Sequence, residues 1–185
     1  MVTCTKFIPL PIMLCLLFIF GHYAVAEDRN ATTQKTITLG TTTALTGPAK
    51  SLGLAMVRGM NAHLETVNES GGINGHRFEL ITLDDGYHRQ SAHMQMTKLI
   101  KNSSVLAVIG NVGTPTAQET VPLANRYKIP LIGAFTGANL LRKPTPDRFV
   151  INYRASYDEE MAMVVDALLD NNVSAERIAF FTQND

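Results

Sequence analysis

The chain has 185 residues, 45% of them hydrophobic and 17% charged, with 16 basic and 16 acidic side chains. A formally neutral chain of ordinary globular composition lacks the basic excess of a nucleic-acid binder and the long acidic runs of a disordered tail. Both cysteines, Cys4 and Cys15, fall in the first 26 residues, so the remainder depends on its core rather than on disulfides.

Residues 1–26 have their own logic. Lys6 gives a positive start, Ile12–Phe20 is an uncharged apolar run, and Ala24-Val25-Ala26 is a small-residue cleavage site. This is the pattern of a secretory signal peptide cut after Ala26, and the run is shorter than the ~20 apolar residues that span a bilayer. Cys15 lacks the small preceding residue that lipid attachment needs. Removal of 26 residues leaves 159, the size of one domain. Asn-x-Ser/Thr triplets occur at Asn30, Asn68, Asn102 and Asn172, and matter only in a glycosylating pathway.

Residues 27–35 form a polar leader without apolar periodicity. Thr36–Thr43 is β-branched and reads as a strand, and Thr46-Gly47-Pro48 as a turn. Lys50–Ser70 reads as a helix with Val57, Met60, Leu64 and Val67 on a buried stripe, ended by Gly71-Gly72. Asn74-Gly75 is a tight turn into a strand at Arg77–Leu83, which breaks at Asp84-Asp85-Gly86. Gln90–Lys101 is the next helix. Val105–Gly110 is an apolar strand, and a helix follows to Tyr127, with Thr114 as N-cap and Pro115 at its first position. Ile129–Ile132 is a strand, Leu140–Asp147 a loop, and Phe149–Tyr153 a short strand. Ser156-x-x-Glu159 is a capping box opening a helix to Asn171, with Met161, Val164, Val165 and Leu168 on one side. Arg177–Thr182 reads as a further strand. Strict alternation of strand and helix predicts an α/β fold, a doubly wound parallel sheet covered on both faces.

Catalytic signatures are absent: the sequence contains no G-x-S-x-G, no H-E-x-x-H and no phosphate loop. His88 and His93 are five apart, which does not put two ligands on one helical face. Asp84 and Asp85 read as a turn with solvated carboxylates. No cofactor, metal or nucleic acid is implied, and an enzyme is disfavoured. What remains is a set of binding groups at two adjacent strand ends. Asn111, Gly113 and Ala134 offer backbone groups, Thr114 and Thr136 hydroxyls, and Tyr157 and Asp158 lie just past the last strand of this set. The free N–H groups at the Thr114 helix start suit a carboxylate. The Ala134 carbonyl, the Thr136 hydroxyl and the Asp158 carboxylate suit an ammonium.

Taken in order, these segments resemble the branched-chain amino-acid binding proteins of ABC importers, with the type I periplasmic binding fold. Ile37–Gly47 with Pro48 matches the first strand and its S/T-G-P turn, and Asn68–Gly75 matches N-x-x-G-G-I-x-G. Leu83-Asp84-Asp85, Val108-Ile109-Gly110 and Pro130–Thr136 match the later strand ends, and Arg154 and Asp158 the crossover. The resemblance implies a two-lobed clamshell closing on a small ligand. The Thr114 loop would hold its carboxylate; the Ala134/Thr136 loop and Asp158 would hold its ammonium. It divides the chain into a signal peptide (1–26), a leader (27–35), lobe one (36–151), and a hinge crossover with the start of lobe two (152–185). Two departures leave the ligand open: Leu52 stands where the family often has an aromatic residue, and Gly113–Thr116 is one residue shorter than the family's serine-rich run. Such proteins exceed twice this mature length, so a fragment is expected. The expected role is periplasmic capture of an amino acid or similar molecule for an ABC permease. The alternatives are the sensing module of a receptor or a non-functional truncated product.

Overall fold

The computed structural model describes residues 35–182, so the signal-peptide and leader readings lie outside the described residues. The elements are β1 (Lys35–Thr43), α1 (Lys50–Glu69), β2 (His76–Asp84), α2 (Arg89–Lys101), β3 (Val105–Ile109), α3 (Thr114–Tyr127), β4 (Leu131–Ile132), β5 (Val150–Ile151) and α4 (Tyr157–Asp170). Single 3-10 turns lie at Asn139–Leu141 and Ala175–Arg177.

All pairings among these strands are parallel, in the order β2-β1-β3-β4-β5. Strand order reverses between β1 and β3, and ligands of open α/β sheets bind outside the carboxyl ends of the strands at such a reversal. Right-handed crossovers place α1 on one face and α2 with α3 on the other. The second face holds the core: Met96 and Leu99 of α2 and Val121, Leu123 and Ala124 of α3 close over Val105, Val108 and Leu131. The first face is thinner. Val57, Met60, Leu64 and Val67 of α1 are half-buried rather than buried, because among the described residues no second helix flanks α1.

The Asn68–His76 connection is fixed by side chain as well as by turn. Asn68 donates to the Phe78 carbonyl at 2.8 Å and accepts from the Phe78 N–H at 2.7 Å, tying the end of α1 to β2. The capping box at Ser156 is formed in both directions. The strand expected at Arg177–Thr182 is not present: residues 175–177 make a 3-10 turn and 178–182 carry no strand pairing. A parallel strand needs a neighbour to satisfy its N–H and C=O groups, and these residues have none.

Candidate functional site

The site grows from two glycine kinks. Gly110 and Gly133 follow β3 and β4 in register and both adopt left-handed backbone, with φ of 66° and 65°. There is no room for a side chain at either: a Cβ would lie 2.6 Å from the Met60 sulfur at Gly110 and 2.5 Å from the Tyr153 ring at Gly133. Beyond the kinks the two chains pair again. The Phe135 N–H donates to the Asn111 carbonyl at 2.6 Å and the Gly113 N–H to the Phe135 carbonyl at 3.2 Å. The next residues along, Thr114 and Thr136, are thereby brought together, with their hydroxyl oxygens 2.7 Å apart.

Thr114 is not the N-cap. Gly113 holds that place, with φ 108° and no side-chain cap, Thr114 is the first helical residue, and Pro115 follows it. A threonine at the cap would turn its hydroxyl onto its own helix. Here the hydroxyl faces Thr136 instead, and among the described residues the Thr114 and Thr116 N–H groups have no hydrogen-bond acceptor. They are the donors of the helix start, since Pro115 has no N–H and the Ala117 N–H is bonded to the Gly113 carbonyl.

Tyr157, the first residue of α4, completes a triad. Its N–H donates to the Gly137 carbonyl at 2.9 Å, and its hydroxyl accepts from Thr136 at 3.3 Å. Burial pushes the Tyr157 phenol up, but hydrogen bonds with Thr136 and Thr114 outweigh it, and the group lies below its usual range. The Ala138 N–H fixes Thr136 from behind at 3.1 Å. Arg154, which is salt-bridged to Glu160 at 2.9 Å, lies 4.8 Å from the Phe135 ring centre and 5.3 Å from that of Tyr157. Arg142 holds the crossover, donating to the carbonyls of Ala138, Arg154 and Ala155.

The remaining expected residues divide. Asn111 is buried to 1% exposure at the end of β3, and neither of its side-chain polar atoms has a partner among the described residues. The Ala134 carbonyl accepts from the Thr136 N–H at 2.9 Å and keeps one lone pair. The Gly113 N–H and carbonyl are both occupied within the fold, so Gly113 shapes the site rather than offering a free backbone group. Asp158 is exposed and accepts from Asn139 at 3.1 Å, with no bond to the Thr114–Thr136–Tyr157 triad. Sequence reasoning passed over Phe135 and Arg142. Phe135 sits between two residues it did name. The reach of Arg142 from a loop to carbonyls 12 and 13 residues on has no sequence signal.

The Asp84-Asp85 reading also needs correction. Asp85 is 1% exposed, accepting from the Thr42 hydroxyl at 2.8 Å and the Tyr87 N–H at 2.9 Å. Asp84 gathers the Leu45, Thr46 and Gly86 N–H groups and the Thr46 hydroxyl. Both carboxylates bind the ends of β1 and β2 together; Asp85 does so out of solvent, whereas Asp84 is half-buried with its Thr46 bonds exposed.

The fold is a doubly wound α/β sheet that gathers hydroxyls, helix N–H groups and aromatic rings at its carboxyl edge, where ligands of such sheets bind. The chain belongs to the periplasmic binding protein family, whose model matches residues 36–185. It is 46% identical to a possible leucine/isoleucine/valine-binding protein from Rhodopirellula baltica, with a TM-score of 0.76 over 82% of this chain and 40% of that one. A fatty acid ABC transporter substrate-binding protein from Thermomonospora curvata is 30% identical, with a TM-score of 0.65 over 75% of this chain and 34% of that one. An amino acid binding protein of Pseudomonas aeruginosa is 25% identical over 141 residues, 76% of this chain and 37% of the relative. The chain thus spans about two fifths of the length of the relatives it matches.

Proposed function

We propose that this chain is the ligand-capturing part of a periplasmic solute receptor that delivers an amino acid, or a molecule like one, to an ABC permease. The observation that carries the reading is the Thr114–Thr136–Tyr157 hydroxyl triad set at a helix start whose Thr114 and Thr116 N–H groups are unpaired. A carboxylate there gains two N–H donors, up to three hydroxyls and the positive end of α3. Similarity to the Rhodopirellula baltica and Pseudomonas aeruginosa proteins, whose names specify amino acids, supports the ammonium as the second recognised group. In this reading residues 36–151 form lobe one, and residues 152–185 form the crossover and the start of a second lobe. The signal peptide is cut after Ala26, and hinge closure brings Asp158 toward the ammonium. Asn111, Gly113 and Ala134 shape the floor of the site.

A second reading keeps the carboxylate and drops the ammonium. It is favoured by the Thermomonospora curvata relative, named for a fatty acid, and by the exposure of Asp158 away from the triad. Calorimetry on the full-length protein with valine, valinamide and isovalerate decides. The amino-acid reading expects valine to bind best, and Asp158→Asn to weaken valine while leaving isovalerate unchanged. Isovalerate equal to valine supports the second reading, and valinamide equal to valine overturns both.

A further inference from the structure

We propose that Tyr87 is the positioning residue that holds the start of α3 in its anion-binding geometry; the proposal rests on the carboxylate reading above. Tyr87 lies in the turn after β2, 26 residues before Gly113 in the chain. The turn is unusual: Gly86 and Tyr87 are consecutive left-handed residues, with φ of 56° and 65°. A tyrosine enters that region only where its surroundings over-determine it. The determinant is Asp85. Its carboxylate accepts from the Tyr87 N–H at 2.9 Å and from the Thr42 hydroxyl at 2.8 Å, its N–H donates to the Thr43 carbonyl at 3.0 Å, and its carbonyl accepts from the His88 N–H at 2.9 Å. A buried carboxylate thus pegs the turn to the end of β1.

The consequence is where the ring goes. A Cβ built on Gly113 would lie 2.3, 2.8 and 3.0 Å from Cε2, Cζ and the hydroxyl oxygen of Tyr87. The phenol end of Tyr87 therefore packs directly on the α-carbon of the residue that caps α3. Gly113 is held on its other sides by the Phe135 carbonyl, the Thr116 hydroxyl and the Ala117 N–H. The ring closes the remaining side. With it in place the peptide leading into Thr114 has one arrangement; without it Gly113, with φ 108°, regains the freedom of a glycine beside a void. Tyr87 acts through Gly113, where its ring packs. The peg explains why a glycine is required at the cap and why a buried aspartate stands at the neighbouring strand end.

The test has one arm without ligand and one with it, both on the full-length protein. In the first, amide exchange is followed at Gly113 and Ala117, whose N–H groups are bonded across the cap, in wild type, Tyr87→Ala and Tyr87→Phe. The brace expects exchange at these two amides to rise about tenfold or more in Tyr87→Ala, with α2 unchanged and Tyr87→Phe, which keeps the ring, rising less than Tyr87→Ala. Unchanged exchange at Gly113 and Ala117 overturns it. In the second arm the preference for valine over valinamide is measured. Loss of a positioned carboxylate site lowers that preference about tenfold, whereas general destabilisation weakens both ligands alike. A Tyr87→Ala protein with full preference overturns the proposal. If wild type shows no preference for valine, the carboxylate reading fails and the exchange arm alone decides the brace. Should Tyr87→Ala fail to fold, Tyr87→Leu, which removes the phenol end that meets Gly113 but keeps an apolar side chain, is read in the same two arms with the same expectations.

Discussion

At the scale of single residues the site depends on hydroxyls that do more than one thing. Thr136 meets Thr114, Tyr157 and the Ala138 N–H through one oxygen. Thr136→Ala should weaken binding of a carboxylate ligand by about 1.5–3 kcal/mol, the worth of a hydrogen bond to a charged group. Calorimetry showing unchanged affinity would remove Thr136 from the site. The two aspartates pull stability in opposite directions with pH. Burial holds the Asp85 carboxyl above its usual range, the Tyr87 and Thr42 hydrogen bonds offsetting this only in part. For Asp84 burial is outweighed by the Thr46, Leu45 and Gly86 hydrogen bonds, and its carboxyl lies below the usual range. An acid raised on folding binds more protons folded than unfolded between the two values, so Asp85 removes stability as pH rises through that window. Asp84 contributes stability above its unfolded value that is lost as pH falls through the lowered one. Urea midpoints between neutral and acidic pH should therefore gain more on neutralisation in Asp85→Asn than in wild type, and less in Asp84→Asn. Two variants that shift the pH slope in the same direction would refute this assignment.

At the scale of elements, α1 offers a paired comparison. Gly53 is its one fully buried residue, pressed on the end of β1, and a Cβ there would lie 1.9 Å from the Ala44 carbonyl oxygen. Backbone cannot yield as a side chain can, so Gly53→Ala should destabilise by about 1–3 kcal/mol even though alanine favours helix. Six residues on, Gly59 has nothing within 4 Å of such a Cβ. Gly59→Ala should stabilise by about 0.5–1 kcal/mol, through the lower entropy of the unfolded chain and better helix propensity. Chemical denaturation of both variants checks the pair, and effects of the same sign would mean that α1 does not sit on β1 as described. The N-terminus of α4 is fixed differently, by its capping box and by the Tyr157 N–H on Gly137, so its first turn is held to the site loop while its body is not.

At the scale of the whole molecule, order is distributed unevenly. The α2–α3 face carries the core, whereas no residue of α4 is buried, and Met163 and Phe181 are 74% and 104% exposed. Helical hydrogen bonds without tertiary cover open at little cost. Amide exchange on this chain should therefore be fastest in α4 beyond its first turn and slowest in β3 and α3. Exchange in α4 as slow as in α3 would show that its apolar face is covered. The exposed Met163, Phe180 and Phe181 also make self-association the expected behaviour of this chain at high concentration, which sedimentation reads directly.

Much of the architecture follows from the sequence alone. Hydrophobic period, capping residues and glycine stops fix β1, α1, β2, α2, β3, α3 and α4 to within one or two residues, because those signals are local. Strict alternation then yields a parallel sheet, because a short connection cannot return a parallel strand. The Gly-Thr loops after β3 and β4 were legible as neighbours at the carboxyl edge of the sheet for the same reason. What sequence could not decide were the properties set by neighbours distant along the chain. The half-burial of α1 depends on the absence of a flanking helix. The lone Arg177–Thr182 stretch has strand propensity but no partner, so it forms no strand. The cap of α3 passed from Thr114 to Gly113 because Thr136, 22 residues away, takes the threonine hydroxyl. Asp85 went from a solvated turn to a buried peg because Thr42, 43 residues away, lies opposite it. The two hydroxyls, the tyrosine brace and the arginine clamp are all contacts between segments that only the closing of the sheet brings together, and no spacing along the chain encodes them.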